Sequence, residues 1–399
     1  MSRRWFFAAT TSAAGLSAAS RGSRANSPRE EFLDGLTERQ VYRITDLSVL
    51  HHLPDSHHRF IARNNSFLLL AAEHGGMRQI HRLDLKRERL TQLTEGSGLH
   101  PYAARLRGND RGFFFMQENR LIHADLNGSK RVTLYECPAG WVLTGEMDIS
   151  GGERYAAVVE MREEHVEPDP GRQFEREPLC RVSVVELPRQ GRGRHHVVVE
   201  ERRWLSTPLF RPWRSQLLYV REGPWQRVQR RFHLVNLDGT GRSSVRPAKG
   251  REKLGYAYWA PDGSVLRYVY FPDGARWAAA IRNFQPETRA ETIEAPCSAF
   301  GWVRENADGS AMVGASMRPS GPNIYVLFPR MQREITLAEH HSSLKPYPLA
   351  GSERMDPFAA APALGLSADS SWLYFGTDRE GVPAVYAMPI DDLVEGTAS

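Results

Sequence analysis

The 399-residue sequence predicts an all-β fold, a seven-bladed β-propeller, from three observations. Helical periodicity is scarce, short runs rich in β-branched and aromatic residues recur along the chain, and the main runs are spaced by roughly 40 to 60 residues. Repeats of this length with three or four strands each are typical of propeller blades. Seven repeats start at these runs, near Leu68, Phe113, Tyr155, Leu217, Val265, Ala311 and Trp372.

Each repeat continues with a turn and further strand-like runs. In the first repeat these runs are 79–85 and 90–94. Asp-Gly and Asn-Gly pairs such as Asp238-Gly239 separate many runs, and such pairs supply the positive φ angles of tight hairpins. A pair of β-sandwiches and a β-helix are alternatives that fit these long, turn-punctuated repeats less well.

The last repeat ends soon after 385–388 and is short of a full blade. The first strand-like run, 41–45, is expected to supply the missing strand and to close the ring, which removes an exposed sheet edge. The sequence therefore predicts a linker over 26–39, a propeller over 40–392 and a tail over 393–399.

The N-terminal segment resembles a twin-arginine export signal over residues 1–25. Arg3 and Arg4 precede a bulky apolar triplet and a mildly apolar stretch. Removing this segment deletes four arginines and no acid, so the net charge falls from +5 to about +1. The mature chain is thus expected to be exported and nearly neutral, which removes the argument for a nucleic-acid partner; a basic tail is the alternative.

Cysteine and histidine often bind metal ions, but their spacing in this sequence is not that of a metal site. The three cysteines, Cys137, Cys180 and Cys297, are widely spaced, and buried thiols are expected. Neighbours on a strand point to opposite faces, so a His-His pair does not easily bind one metal ion. The pairs are therefore interpreted as solvated strand ends. They are His51-His52, His57-His58, His195-His196 and His340-His341.

A group of short motifs carries a resemblance to a known family. The Glu222-Gly223-Pro224 turn, the strand end Val235-Asn236, the Leu93–Gly96 run and the final run Asp378–Tyr386 together resemble the oligogalacturonate lyase family. The resemblance covers nearly the whole mature chain. It implies a seven-bladed propeller that cleaves short pectin-derived uronate oligomers by β-elimination.

The resemblance also implies a chemistry. In this family a histidine removes the proton from C5 of the uronate, an arginine assists, and three histidines and a glutamine hold a manganese-type ion. The ion neutralises the adjacent carboxylate. A cation is useful there because removal of a proton beside a carboxylate builds further negative charge on its oxygens.

This sequence departs from the family at most of those positions. The arginine is matched by Arg231, whereas the base histidine is replaced by Tyr256. The metal-ligand positions carry Ala299, Phe358, Ala361 and Ala363, none of which has a donor atom in its side chain. The sequence therefore predicts no metal ion at this position and no other cofactor.

Five residues are candidates for the site. Arg231 and Tyr256 are the catalytic candidates, and His52, Arg211 and Arg221 are the substrate-binding candidates. If the arginines face the axis, their charge lowers the pKa of Tyr256, and a tyrosinate becomes the base. The alternatives are that Tyr256 packs between blades, that Arg211 and Arg221 form exposed ion pairs, and that His52 is a loop residue.

Three functions remain open. The first is a metal-independent lyase acting on an acidic oligosaccharide, and the second is a propeller that binds uronate sugars without cleaving them. The third is a TolB-like envelope propeller that binds protein. The expected partner is an acidic oligosaccharide, and a monomer without a membrane span is expected.

Overall fold

Seven antiparallel sheets of four or five strands form a ring in the described residues, which confirms the predicted seven-bladed β-propeller. The structure, a computed structural model, describes residues 24–27, 29–127, 129–188, 192–274, 279–318, 321–348, 355–356 and 358–394. No helix among these residues is long and apolar enough to cross a membrane.

The strands of the first half follow one another around the ring. The first three are β1 (Arg24–Asn26), β2 (Glu30–Leu33) and β3 (Gln40–Arg43). Blade 1 contains β4 (His51–His52), β5 (Phe67–His74), β6 (Met77–Asp84) and β7 (Arg89–Gln92), with β1 on its outer edge. Blade 2 contains β8 (Leu99–Leu106), β9 (Gly112–Gln117), β10 (Arg120–Asp125) and β11 (Arg131–Glu136). Blade 3 contains β12 (Trp141–Ile149), β13 (Tyr155–Arg162), β14 (Leu179–Glu186) and β15 (His195–Arg202).

The second half completes the ring. Blade 4 contains β16 (Leu205–Phe210), β17 (Gln216–Arg221), β18 (Phe232–Asn236) and β19 (Ser243–Ser244). Blade 5 contains β20 (Lys253–Trp259), β21 (Leu266–Phe271), β22 (Ala279–Phe284) and β23 (Glu291–Cys297). Blade 6 contains β24 (Phe300–Glu305), β25 (Met312–Ser316), β26 (Asn323–Phe328) and β27 (Arg333–Glu339). A separate hairpin, β28 (Tyr347–Pro348) and β29 (Met355–Asp356), precedes β30 (Leu364–Leu366), β31 (Trp372–Thr377) and β32 (Ala384–Pro389) of blade 7.

Helical structure in the described part of the chain is limited to three short pieces. They are one α-helix, Pro170–Glu175, and two 3₁₀ turns, Glu163–His165 and Pro329–Met331. The N-cap residue of the α-helix is Asp169, whose side chain accepts a hydrogen bond from the backbone N–H of Arg172.

The N-terminal strand closes the ring, as the sequence predicts. Tyr42 of β3 lies opposite Ala387 of β32 in an antiparallel pair. The segment 26–39, predicted as a linker, contains β2, which pairs with β3 and gives blade 7 a fifth strand. Residues 1–23 of the predicted signal and 395–399 of the predicted tail lie outside the described residues.

The core lies between the blades. Phe113 and Phe115 of β9 stack at 5.1 Å in the cluster shared by blades 1 and 2, and Phe300 is fully buried in the cluster shared by blades 5 and 6. Burial of each such side chain contributes about 1.5–3 kcal/mol. The three cysteines are buried and free, which confirms the predicted thiols.

The first strands of most blades are irregular where they face the axis. The pairing of β8, β12, β16, β20 and β24 with the next strand shifts register within each strand. Such bulges insert unpaired residues and redirect side chains. The side chains of the candidate site come partly from these bulges.

Candidate functional site

The segment between β4 and β5 that spans residues 53–58, called the axial loop below, crosses the middle of the ring. The backbone N–H of Asp55 donates to the Tyr102 carbonyl of blade 2 at 3.1 Å. On another side, Nε2 of His58 donates to the Met147 carbonyl of blade 3 at 2.9 Å. The loop starts in blade 1, so these two contacts already join three blades.

Three further contacts hold the axial loop to the opposite side of the ring. Nε2 of His57 lies 3.1 Å from the Ala257 carbonyl of blade 5. The Arg304 guanidinium of blade 6 donates to the Ser56 carbonyl at 3.0 Å, and the Leu364 N–H of blade 7 donates to the Ser56 hydroxyl at 2.9 Å. The loop therefore contacts five other blades and forms a floor across the central channel, which becomes an axial cup.

The His57 ring carries a positive charge. Its Nδ1 lies 2.8 Å from a carboxylate oxygen of Asp55, and its Nε2 faces the Ala257 carbonyl. Both partners are acceptors, so both ring nitrogens must donate, and an imidazole with two N–H groups is a cation. Burial alone would lower the pKa of His57, but the charge of Asp55 outweighs it and raises that pKa.

Asp55 is the ionised partner. Burial would raise the pKa of Asp55, but the charge of His57 outweighs it and holds that pKa well below its usual value. The Asp55 side chain is 46% exposed although it lies on the axis, between blades. Its carboxylate therefore faces the solvent inside the cup.

Tyr256 supports the His57 ring. The two rings stack with their centroids 4.6 Å apart and their planes at 12°. Tyr256 occupies the bulge of β20 with a φ of 39°, an uncommon conformation for a residue other than glycine. Its hydroxyl is buried, and burial together with the charge of Asp55 raises its pKa. The charge of Arg304 acts to lower this pKa, as predicted for arginines, but burial and Asp55 outweigh it, so the tyrosinate base gains no support and stays a prediction.

Glu146 lies in the bulge of β12. Gly145 before it has a φ of 93°, which an ordinary side chain rarely allows, and this turn directs Glu146 towards blade 4. There its Oε2 accepts a hydrogen bond from the Thr207 N–H at 3.0 Å. Among the described residues no cation forms an ion pair with it. Burial, followed by the charge of Asp55, raises the pKa of Glu146 to about 7.

Arg231 is fixed by protein groups. Its Nη1 lies 2.8 Å from Glu222, another donor reaches a backbone carbonyl, and the guanidinium lies 4.4 Å from the ring centroid of Trp225. Trp225 packs against Gly255, where an added Cβ would lie 3.2 Å from the indole. Arg231 therefore stands near the bulge of β20. It is buried, Nη1 and Nη2 each donate to a protein group, and among the described residues its Nε has no hydrogen-bond partner.

The side chains of the other two arginines have different partners, although the Arg221 N–H donates to the Arg231 carbonyl at 2.9 Å. Arg211 donates to the Gly263 carbonyl at 2.7 Å and pairs with Glu287 at 2.7 Å, so it joins blade 4 to blade 5. Arg221 pairs with Glu201 of blade 3 at 2.6 Å. Neither shares a partner with Arg231. The three guanidinium groups are bound to different protein groups, and the substrate-binding role of Arg211 and Arg221 stays a prediction.

His52 belongs to a buried network beside the cup. Its ring stacks on Tyr102 at 4.4 Å and lies 3.4 Å from Arg78, which pairs with Asp356. Tyr102 also donates to Asp356 at 2.8 Å. Burial lowers the pKa of His52 and keeps it neutral, and only 3% of the residue is exposed. His52 therefore supports the wall and has little surface for a sugar.

Burial also corrects the interpretation of the histidine pairs. His51, His52, His58 and His340 are all under 5% exposed, so three of the four pairs are not solvated strand ends. The irregular segment after β4, with Pro54 and an adjoining acidic residue, is the sequence signal that could have indicated the axial loop.

The residues at the family's metal-ligand positions do not fit a manganese ion. Ala299, Ala361 and Ala363 have no donor atoms, and Phe358 presents an aromatic ring that is 60% exposed. Among the described residues, no group of three or more His, Cys, Asp or Glu side chains is placed to hold a metal ion.

Comparison with known proteins agrees with the propeller and its motifs. The family model described as oligogalacturonate lyase matches residues 20–394. The chain belongs to this family. Its members identified by curation include an oligogalacturonide lyase of Pectobacterium atrosepticum, 27% identical over 385 residues, and an oligogalacturonate lyase of Dickeya dadantii, 26% identical over 385 residues. In both cases the match spans 91% of this chain and 96% of the relative.

The solved structures agree with the family assignment. A structure described as oligogalacturonate lyase in complex with manganese superposes with a TM-score of 0.85 at 28% identity, covering 93% of this chain and 98% of that chain. An oligogalacturonate lyase from Vibrio parahaemolyticus has the same fold, with a TM-score of 0.84 at 24% identity over 93% of this chain and 99% of the other. The first relative binds manganese, whereas this chain lacks donors at the positions inferred to bind it.

Proposed function

We propose that this propeller binds short uronate oligosaccharides in the axial cup and cleaves them by β-elimination without a metal ion at the family's position. Membership of the oligogalacturonate lyase family supports the substrate class and the reaction. The cup supports the absence of the metal, because it provides cationic side chains of its own.

The observation that carries the proposal is the Arg304 guanidinium beside the axial loop. Among the described residues its one hydrogen bond goes to the Ser56 carbonyl, and no carboxylate forms an ion pair with it, although Asp55 and Glu305 are close enough for their charges to act on it. The neighbouring charge of His57 is balanced by Asp55. Arg304 therefore has donors and charge available for a uronate carboxylate, which guanidinium groups bind through paired hydrogen bonds.

The shape of the cup supports a short substrate. The axial loop crosses the channel, so a long polymer has no path through the ring. An oligomer must then enter from one side and place one end on the floor. This agrees with the short substrates that the family name implies.

The test is turnover of purified protein on short oligogalacturonates, followed by the ultraviolet absorbance of the unsaturated product. Cleavage is expected to be the same with EDTA as without it, and added Mn²⁺ is expected to change it less than about twofold. Arg304→Gln is expected to raise KM by about 10- to 100-fold, the usual loss for a hydrogen bond to a charged group. Cleavage abolished by EDTA and restored by Mn²⁺ would contradict the proposal.

A second function is favoured by one observation. The base position carries a tyrosine with a buried hydroxyl, and the metal positions carry no donors. A propeller that binds uronate sugars without cleaving them would show these features. In that case oligogalacturonates would raise the melting temperature, and no unsaturated product would form.

A further inference from the structure

We infer that Glu146 is the general base of this lyase, the group that removes the C5 proton of the bound uronate. The inference rests on the proposed β-elimination and goes beyond it, because the family's base is a histidine. It is argued from the placement of Glu146, from the state of the other groups on the cup floor and from the balance of the reaction.

The placement leaves one oxygen of Glu146 free to react. Oε2 is held by the Thr207 N–H at 3.0 Å. Oε1 receives no hydrogen bond from the described residues and is not among the fully buried polar atoms without a partner, so part of its surface is accessible. The left-handed turns at Gly145 and Thr207, with φ values of 93° and 50°, bring the two bulges together. A carboxylate with one anchored and one open oxygen is a suitable proton acceptor.

The other titratable groups on the floor are less suited to the task. Both nitrogens of His57 already donate, so the ring has no lone pair for a proton. Asp55 is held ionised by His57, so it is a weak base. The hydroxyl of Tyr256 is buried and cannot reach a substrate in the cup.

The charges around Glu146 also favour this role. Asp55 from the axial loop and Glu222 from the end of β17 are negative neighbours, and His57 is a positive one. Glu222 is partly compensated by Arg231, and the His100 ring packs against Gly145. With burial, this environment raises the pKa of Glu146 to about 7. A base with such a pKa is stronger than an ordinary carboxylate and is still ionised above pH ~7.

The step is balanced without an oxidant or a metal. The Glu146 carboxylate takes the proton from C5, and the electron pair of the C5–H bond forms the C4=C5 double bond as the C4–O bond breaks. The leaving oxygen takes a proton from water, and the hydroxide that remains takes the proton from Glu146. Arg304 holds the uronate carboxylate while charge builds on it.

The test compares Glu146→Gln with the native protein and with a matched control. Glu200→Gln is the control, because Glu200 is an exposed residue of β15. With short oligogalacturonates at pH 8, Glu146→Gln is expected to lose turnover by about 10²–10⁴-fold, whereas Glu200→Gln is expected to keep it. Melting-temperature shifts with the same oligomers are expected to remain in both variants, which shows that binding survives.

A pH profile separates a base from a structural residue. In the native protein kcat/KM is expected to rise with pH through about 7, because the base must be ionised. If the native protein cleaves and Glu146→Gln cleaves within about threefold of it, Glu146 is not the base although the proposed function stands. If the native protein does not cleave, both proposals fail.

Discussion

Two carboxylates of blade 3, Glu160 and Glu146, have opposite surroundings. Glu160 is fully buried and accepts hydrogen bonds from Tyr135 at 2.5 Å, Arg181 at 2.7 Å and Ser183 at 2.5 Å. Glu146 accepts a single hydrogen bond from a backbone N–H and lies near other acids. Burial would raise the pKa of Glu160, but its hydrogen-bond donors, led by Arg181, outweigh it and lower that pKa. A buried carboxylate that is surrounded by hydrogen-bond donors and a cation stabilises the fold. A carboxylate without these partners, such as Glu146 in the cup, remains able to react.

The largest loss of stability is expected when the cluster of Glu160 and its hydrogen-bond donors is broken. Glu160→Gln leaves Arg181 buried without its counter-ion and is expected to lower the free energy of unfolding by about 3–5 kcal/mol. Urea denaturation followed by tryptophan fluorescence measures this. The control Glu186→Gln changes an exposed pair with Arg194 and is expected to stay within about 0.5 kcal/mol. If Glu160→Gln and Glu186→Gln lower the free energy of unfolding equally, the buried cluster of Glu160 contributes no more stability than an exposed ion pair.

A gain in stability is expected when Glu146 in the cup is replaced. Because the pKa of Glu146 is higher in the folded chain than in the unfolded chain, ionisation destabilises the fold as pH rises from about 4.5 to about 7. Glu146→Gln removes this penalty and is expected to stabilise the protein by about 1–2 kcal/mol at pH 8, after allowance for partial exposure. The gain is expected to vanish below pH ~4. Thermal unfolding at both pH values measures it, and a gain that persists at acidic pH would have another cause.

The smallest change in stability is expected when Tyr256, which stacks on His57, is replaced. Tyr256→Phe keeps the stack on His57 and removes a buried hydroxyl, so stability is expected to change by less than about 1 kcal/mol. Turnover is expected to stay within about threefold, because Tyr256 acts as a support. A loss beyond about 100-fold in kcat with unchanged melting temperature would restore Tyr256 as a catalytic residue.

The fold could be predicted from the sequence because its signals are local and repeated. Alternating apolar runs mark each blade and Asp-Gly or Asn-Gly turns mark several of them, and the short last repeat leaves a gap that the run at Tyr42 fills. The signals of each blade lie close together in the sequence, so a blade can be recognised without knowing its distant contacts. The ring and its closure can therefore be predicted from the sequence alone.

The site could be predicted only in part because its geometry depends on distant contacts. Arg231 and Tyr256 were found through motifs and do lie near one another through Trp225. Glu146 and Arg304 were missed, since each looks like an ordinary polar residue of a strand. Their roles arise from register shifts and from the axial loop, which no local pattern reveals.

The pairing of Tyr42 with Ala387 has a consequence for biosynthesis. A strand made early by the ribosome must wait for one made near the end before it gains its partner. The circle therefore seals after translation of nearly the whole polypeptide, and until then the edge of β3 is open to other chains. Any nascent fragment that ends before β32 therefore has an unpaired edge on β3.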